Sequence, residues 1–444
     1  MLDVKPFRGL RYSTGAGALR DLVAPPYDVI DAAERQRLAA QSPYNIVRVD
    51  LPDDGYSQAA ARLKQWIDAG ILGREARPAF YAYRQTYRGP SGEALVRWGL
   101  TGMVRLAAYG EGVVYPHERT LAKPREDRLQ LLRATRTHLS PVFGLHFGAA
   151  QPLDDLLASA CQGPPAMAVD DRDGVEHRMW VLDDPDVVAA VQAALAPARI
   201  VIADGHHRYE TALAFRDEER ERLARASGAA AADAAGAAAD AAANYVLMVL
   251  VDLASRGLSV FATHRILRGT SDLTADELLR RLAGAFSLKP VETAGRDAAA
   301  ALLSGLEGLG PDPGFGVYTG KGRGWVARLT DREAWHKATV GKPDAWRALD
   351  VAVLHGLALP LGAGLDVAAQ GSGVYLAYTR DAAEAVAAVD RGEGLAAFLL
   401  RPTPAEAVRD IALAGHVMPQ KSTYFYPKLL TGLVMAQLDT PVGL

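Results

Sequence analysis

At 444 residues the chain is about three times the length of a typical domain, so two or three domains are expected and a peptide-scale scaffold is excluded. Hydrophobic side chains make up 49% and charged ones 23%, the balance of a chain that folds by burying apolar surface, which excludes a disordered polymer. Lys and Arg together number 49 against 52 Asp and Glu, a net charge of −3 without a like-charge block long enough to coat a nucleic acid or an anionic bilayer.

The single cysteine, Cys161, has no partner for an intrachain disulfide, and the opening residues MLDVKPFRGLRYS carry no apolar run of signal-peptide length. A cytoplasmic chain is therefore the expectation. The longest apolar run, near Tyr245–Val251, is far shorter than the roughly 20 residues that cross a bilayer as a helix. Neither nucleic acid nor membrane is expected as a partner, and a homodimer is left open.

Along the chain, Asn45–Asp50 reads as a strand, Tyr56–Ala69 as an amphipathic helix, and Ala79–Tyr87 and Ala94–Leu106 as strands. Arg125–Arg136 has helical spacing, Arg199–Ala203 is a short buried strand, and Tyr209–Ala226 returns to the helical period. Tyr245–Leu253 and Leu258–Leu267 read as strands, Ser271–Phe286 as a helix, Phe315–Leu329 as a strand and Asp381–Asp390 as a helix. The expected class is α/β (α+β). Residues 227–243 are almost entirely Ala, Gly and Asp, too poor in large apolar side chains to anchor in a core, and read as an exposed insert without a functional role. Gly- and Pro-rich joins at Gly308–Gly316 and Pro360–Gly364 mark turns or domain edges.

The densest chemical signal is Ile202-Ala203-Asp204-Gly205-His206-His207-Arg208, an apolar strand that turns at Asp-Gly into a helix. N–H groups in the first turn of a helix lack intrahelical partners and sit at its positive end, so a phosphate is the natural guest. Gly205 lets the backbone come close to it, while His206, His207 and Arg208 add side-chain donors. Asp204 is placed to hold Mg2+ beside those phosphates, or alternatively to cap the helix. Zinc is a weaker reading, since adjacent histidines seldom face one ion.

A second cluster, Tyr115-Pro116-His117-Glu118-Arg119-Thr120, fixes a carboxylate on a Pro-restricted loop. Glu118 suits a general base that receives a hydroxyl proton, although a surface Glu-Arg pair worth about 0–1 kcal/mol explains the same residues. A third cluster near the C-terminus offers Lys421, Ser422, Thr423 and Lys428 as phosphate donors. Pro25-Pro26-Tyr27-Asp28 and Thr263-His264-Arg265 are weaker candidates, read equally well as turns or ion pairs.

The series KPFRGLR, APPYDVI, SPYN, ADGHHRYETAL, THRIL and MPQKSTYFYPK resembles, over nearly the whole length, a bacterial and archaeal family catalogued as domain of unknown function 1015. The Asp204–Arg208 motif is also similar to that of the ParB-like superfamily, in particular its free-serine kinases, which phosphorylate L-serine with ADP or ATP. Those enzymes carry a Pro-His-Glu tripeptide, matched by Pro116-His117-Glu118, and a C-terminal phosphate motif that Gly415–Thr423 matches loosely. Residues 1–105 have no counterpart in them, and the spacing from Glu118 to Asp204 is longer here.

The resemblance implies an N-terminal α/β region over 1–105, a ParB/serine-kinase-like core over 106–310 interrupted by the insert 227–243, and a C-terminal α/β region over 311–444 that completes the site. It implies a nucleotide-dependent phosphotransferase for a small hydroxyl compound such as L-serine, running in either direction. Glu118, Asp204 and His206 would be catalytic. His117, Gly205, His207, Arg208, Lys421, Ser422 and Thr423 would bind the nucleotide phosphates, with Mg2+ on Asp204 and ATP or ADP, or else CTP, as the nucleotide. Two alternatives remain, a non-catalytic nucleotide switch or scaffold and a metal-dependent phosphoester hydrolase. A helix-turn-helix and a basic surface are not found in the sequence, which disfavours DNA binding.

Overall fold

The computed structural model describes residues 1–90, 92–120, 122–227, 241–269, 273–293, 297–439 and 442–443. They group into two compact units, Met1–Ser259 together with Pro427–Leu444, and Val260–Tyr426. Most of the alanine-rich insert, residues 228–240, lies outside the described residues, as do residues 271 and 272 at the start of the helix expected from Ser271.

The first unit is built on a sheet whose described strands are β1 (Val4–Lys5), β2 (Phe80–Arg88), β3 (Ala94–Arg105), β4 (Val114–Tyr115), β5 (Val142–Phe147), β6 (Met167–Asp170), β7 (Glu176–Leu182), β8 (Arg199–Asp204) and β9 (Tyr245–Asp252). Their order is β4-β8-β5-β9-β3-β2-β7-β6, with β1 added beside β3. Pairing is parallel for β4 with β8 and for β5 with β9, and antiparallel elsewhere, so the sheet is mixed. β9 is buried from Tyr245 to Val251, which a run of YVLMVLV at the sheet centre requires. Beside it, a Cβ on Gly144 would come within 2.6 Å of Met248 Sδ, so only glycine lets β5 and β9 close up.

Six helices of the first unit are divided between two apolar cores. They are α1 (Ala32–Gln41), α2 (Val47–Asp50), α3 (Tyr56–Asp68), α4 (Ala122–Thr135), α5 (Pro185–Leu195) and α6 (His206–Ser227). One core joins Phe80, Leu100, Val142, Ile200 and Tyr209 to Val188, Val191 and Leu195 of α5. A second gathers Leu10, Ile46, Val47, Leu63, Trp66, Leu131 and Met435. α4 lies along α6, where Arg133 Nε donates to Glu218 at 2.9 Å and Arg136 grips both Glu219 oxygens at 3.0 and 3.1 Å.

Asn45–Asp50, expected as a strand, is a turn entering the short helix α2. The Asn45 side chain accepts from Val47 N at 2.9 Å and donates to the carbonyls of Asp21 and Val23 at 2.8 and 3.2 Å, so the turn is satisfied locally. The β-branched residues there serve burial, since Ile46, Val47 and Val49 are all 0% exposed. Phe315–Leu329 is a hairpin of two strands, turned at Gly320, Lys321 and Gly322, which all have positive φ. Leu258–Leu267 likewise contains two strands, Ser259–Phe261 and His264–Leu267.

In the second unit, β10 (His264–Leu267), β11 (Phe286–Glu292), β12 (Gly314–Tyr318), β13 (Arg323–Leu329), β14 (Leu376–Thr379) and β15 (Ala396–Leu399) form a sheet in the order β11-β13-β12-β15-β10-β14. α7 (Ala298–Glu307) and α8 (Ala382–Asp390) pack Leu302, Leu306, Ala385 and Val389 against it. Both units alternate helices and sheets, the mixed α/β class expected. Among the described residues, no helix is long and apolar enough to cross a membrane.

Candidate functional site

β8 ends at Asp204 after an irregularity in its pairing with β5, where the register shifts between Ile202 and Asp204. Gly205 follows at φ +89°, a region that costs a side chain dearly, and α6 begins at His206. A Cβ on Gly205 would also stand 2.8 Å from Arg208 Nε. The glycine is thus required twice, by the turn and by the guanidinium folded over it.

The Pro-His-Glu loop closes directly on this junction. The backbone N–H of His117 donates to His206 Nε2 at 3.2 Å, and the two imidazoles meet edge to face at 4.6 Å. His117 Nδ1 lies 2.5 Å from the Ile202 carbonyl. A carbonyl only accepts, so Nδ1 carries the proton, and His117 Nε2 faces Glu118 Oε1 at 3.8 Å. Burial holds the His117 pKa down to about 4 and pushes that of His206 well below its usual range, the neighbouring His117 adding to the effect. Near neutral pH both are neutral rings, able to donate or accept one proton each but supplying no positive charge.

Positive charge comes from elsewhere. Arg208 Nη2 donates to Asp204 Oδ2 at 3.2 Å, while Lys428 Nζ lies 3.6 Å from Asp204 Oδ1. Lys428 is set in place through its backbone: Gln85 Nε2 donates to the Lys428 carbonyl at 3.0 Å, and buried Arg97 donates to the Pro427 carbonyl at 2.5 Å. Arg208 also donates to the Pro141 carbonyl at 2.5 Å and to Ser140 Oγ at 3.3 Å. The expected phosphate fork of Arg208 therefore already grips three acceptors of its own chain. His207 is half-buried, its pKa lowered by burial against the opposing pull of Glu210, Asp28 and Glu118. Glu210 accepts from Thr120 Oγ1 at 2.5 Å, a second tie between the loop and α6.

Asp204 was expected to hold Mg2+. Its two oxygens face two cationic side chains, Arg208 and Lys428, and no group of three His, Cys, Asp or Glu converges among the described residues. No step below passes through a metal.

Asp50 was not singled out from the sequence as a site residue, and Tyr27 was only a weaker candidate. Tyr27 lies under the Arg128 guanidinium at 4.4 Å, and Arg128 Nη1 donates to the Asp50 carbonyl at 2.8 Å and sits 3.2 Å from its carboxylate. Burial raises the Asp50 pKa and pushes Tyr27 up to about 12. Together with Arg208, Ser140 and Thr211, Asp50 and Arg128 line a cavity of about 40 Å3, room for a water or two and too small for a nucleotide. Lys428, offered from the sequence as a phosphate donor, lies beside Asp204, whereas nothing local in NIVRVD marks Asp50 as a partner of Arg128.

Lys421, Ser422 and Thr423 belong to the second unit. Lys421 has φ +56°, and its carbonyl and that of Gln420 accept from buried Arg265 at 2.9 and 3.2 Å. The Ser422 hydroxyl turns inward, donating to the Pro419 carbonyl at 2.5 Å, and the Ser422 carbonyl accepts from Thr403 at 2.9 Å. As described, Ser422 holds its own loop together.

The family model described as "Protein of unknown function (DUF1015)" matches residues 4–352. A conserved hypothetical protein from Pyrococcus furiosus is 14% identical, the match covering 73% of this chain and 92% of that one at a TM-score of 0.34. A free serine kinase solved in complex with AMP is 13% identical over 72% of this chain and 88% of its own, at a TM-score of 0.34. SbnI from Staphylococcus aureus, with a C-terminal truncation, is 11% identical over 74% and 85%, at 0.32. None of the curated proteins matches.

Proposed function

We propose that this chain, which belongs to the DUF1015 family, is a nucleotide-dependent phosphotransferase acting on a small hydroxyl compound, with L-serine and O-phosphoserine as the leading substrate pair. The observation that carries the reading is the hydrogen bond from His117 N to His206 Nε2, which joins the Pro-His-Glu loop to the Asp-Gly-His-His-Arg junction although 89 residues separate them. One patch thereby holds a one-quarter-exposed carboxylate, a helix N-terminus and two cationic side chains.

In the forward direction the hydroxyl oxygen attacks the terminal phosphorus of ATP or ADP, a new P–O bond forms and the bridging P–O bond breaks. The hydroxyl proton passes to Glu118, and the electron pair leaves on the nucleotide. Charge on the phosphates is met by the first-turn N–H groups of α6 and by Lys428, with His206 and His207 as neutral donors. Transfer of this kind depends on positioning and charge neutralisation more than on covalent chemistry by the protein. Lys421 and Thr423, in the second unit, are phosphate-binding candidates on the motif alone.

Incubation with labelled ATP or ADP and a pool of hydroxy amino acids tests the reading. A labelled phosphate ester supports it. Nucleotide that is only bound or hydrolysed supports the second reading, a nucleotide-binding switch. That alternative is favoured by one observation, the three acceptors already on Arg208, which phosphates entering the site would have to displace.

A further inference from the structure

The antiparallel register of the first unit's sheet sets His177 of β7 opposite Gln85 of β2 and Gln85 opposite Arg97 of β3, so three polar side chains share one row on one face. All three are buried. Asp171, on the turn between β6 and β7, accepts from Val175 N through Oδ1 at 2.8 Å and faces His177 Nε2 through Oδ2 at 3.1 Å. A carboxylate only accepts, so Nε2 carries the ring proton and Nδ1 is left bare. The bare Nδ1 receives the Tyr83 hydroxyl at 2.6 Å and Gln85 Nε2 at 3.3 Å. Burial lowers the His177 pKa against the opposing pull of Asp171, which leaves the ring neutral near pH 7.

The Gln85 amide can then point only one way. Its Nε2 also donates to the Lys428 carbonyl at 3.0 Å, and its Oε1 accepts from Arg97 Nε at 3.1 Å, while Arg97 holds the Pro427 carbonyl. Turning the amide over would set Oε1 against the Lys428 carbonyl and the bare Nδ1, and the NH2 against the Arg97 donors. We propose that Asp171 and His177 are positioning residues for Lys428: the proton that Asp171 fixes on Nε2 orients Gln85, and Gln85 holds the backbone from which the Lys428 ammonium reaches Asp204. The chain of bonds stands on geometry, whereas its purpose, placing a cation for phosphate, rests on the phosphotransfer reading.

Asp171→Asn tests it, because the Val175 N–H retains the side-chain oxygen, which turns the NH2 toward His177 Nε2 and moves the ring proton to Nδ1, against Gln85. Gln85→Glu keeps an acceptor for Arg97 and removes both N–H donors. Asp170→Asn, at the end of β6 and paired with Arg178, is the control. Nitrogen NMR of histidine-labelled protein, assigned with His177→Asn, is expected to show a protonated Nε2 in the parent and a protonated Nδ1 in Asp171→Asn. In Asp171→Asn and Gln85→Glu, kcat for phosphotransfer and calorimetric affinity for pyrophosphate are each expected to fall about tenfold or more, the worth of a hydrogen bond to a charge. The unfolding midpoint of Asp171→Asn and the kinetics of Asp170→Asn are expected to match the parent. A protonated Nδ1 in the parent, or parent-like kcat and pyrophosphate affinity in both variants, overturns the inference. A parent without turnover whose pyrophosphate affinity falls in both variants overturns the phosphotransfer reading and leaves the positioning of Lys428 standing. A parent that neither turns over nor binds pyrophosphate overturns both.

Discussion

Glu118 stands on a loop whose neighbouring ring, His117, is kept neutral by burial, so its carboxylate has no fixed imidazolium partner 3.8 Å away. Glu118→Gln keeps the shape and removes the acceptor of the hydroxyl proton, and is expected to lower turnover by roughly 10²–10⁴-fold with nucleotide affinity nearly unchanged. Steady-state kinetics beside calorimetric nucleotide binding separate the outcomes, and a loss of affinity with turnover intact at saturation would make Glu118 a structural ion-pair partner. Asp204→Asn is expected to fold and to lose most of its turnover, because neutralising the carboxylate frees Lys428 and Arg208 from the positions it gives them. Turnover equal to the parent would remove Asp204 from the site. Gly205→Ala forces a side chain into φ +89° and against Arg208, a cost of about 1–3 kcal/mol that a lowered midpoint of thermal unfolding would register.

At the scale of elements, Asn45 shows how a short polar residue can override a β-looking sequence. It is fully buried and makes three bonds to backbone, so Asn45→Ala leaves carbonyls of Asp21 and Val23 without that donor. A loss of about 2–4 kcal/mol in a denaturant titration is expected, and a loss within 0.5 kcal/mol would contradict this account of α2. The long strands and helices near the site were legible in the sequence because their apolar periods repeat over several turns or pleats, as in Tyr245–Leu253 and Tyr56–Ala69. Asn45–Asp50 was not, because six residues rich in Val and Ile carry no period that separates a buried helical turn from a strand. The hairpin of β12 and β13 was read as one strand for a related reason, its Gly-Lys-Gly turn being short beside two apolar runs. At the site, the clusters at 116–118 and 204–208 were visible as motifs, whereas their meeting was not. His117 and His206 approach because β8 runs parallel to β4, a long-range pairing that local pattern does not encode.

For the whole molecule, buried histidines set the response to acid. Burial lowers His117, His138, His146 and His264 to about 4 and His355 to about 3. A folded-state pKa below the unfolded value of about 6.5 means that the unfolded chain takes up protons first as pH falls. Their stability contribution is therefore present above about pH 6.5 and declines from there to about pH 4, or about pH 3 for His355, by about 1.4 kcal/mol per pH unit for each histidine. Unfolding midpoints are expected to fall steadily from pH 7 to 4. A flat profile across that window would show that these rings are not buried and neutral.

The central claim is that loop 116–118 and junction 204–208 together transfer a phosphoryl group to a hydroxyl. Phosphorus NMR of the protein mixed with L-serine and ATP or ADP, and in parallel with O-phosphoserine and ADP or AMP, reads that event directly. The account predicts a phosphate-ester resonance that grows or decays together with the matching change in the nucleotide signals, and that is slowed at least about 100-fold in Glu118→Gln. Unchanged spectra in both directions at saturating nucleotide, or equal rates in the parent and Glu118→Gln, would contradict it.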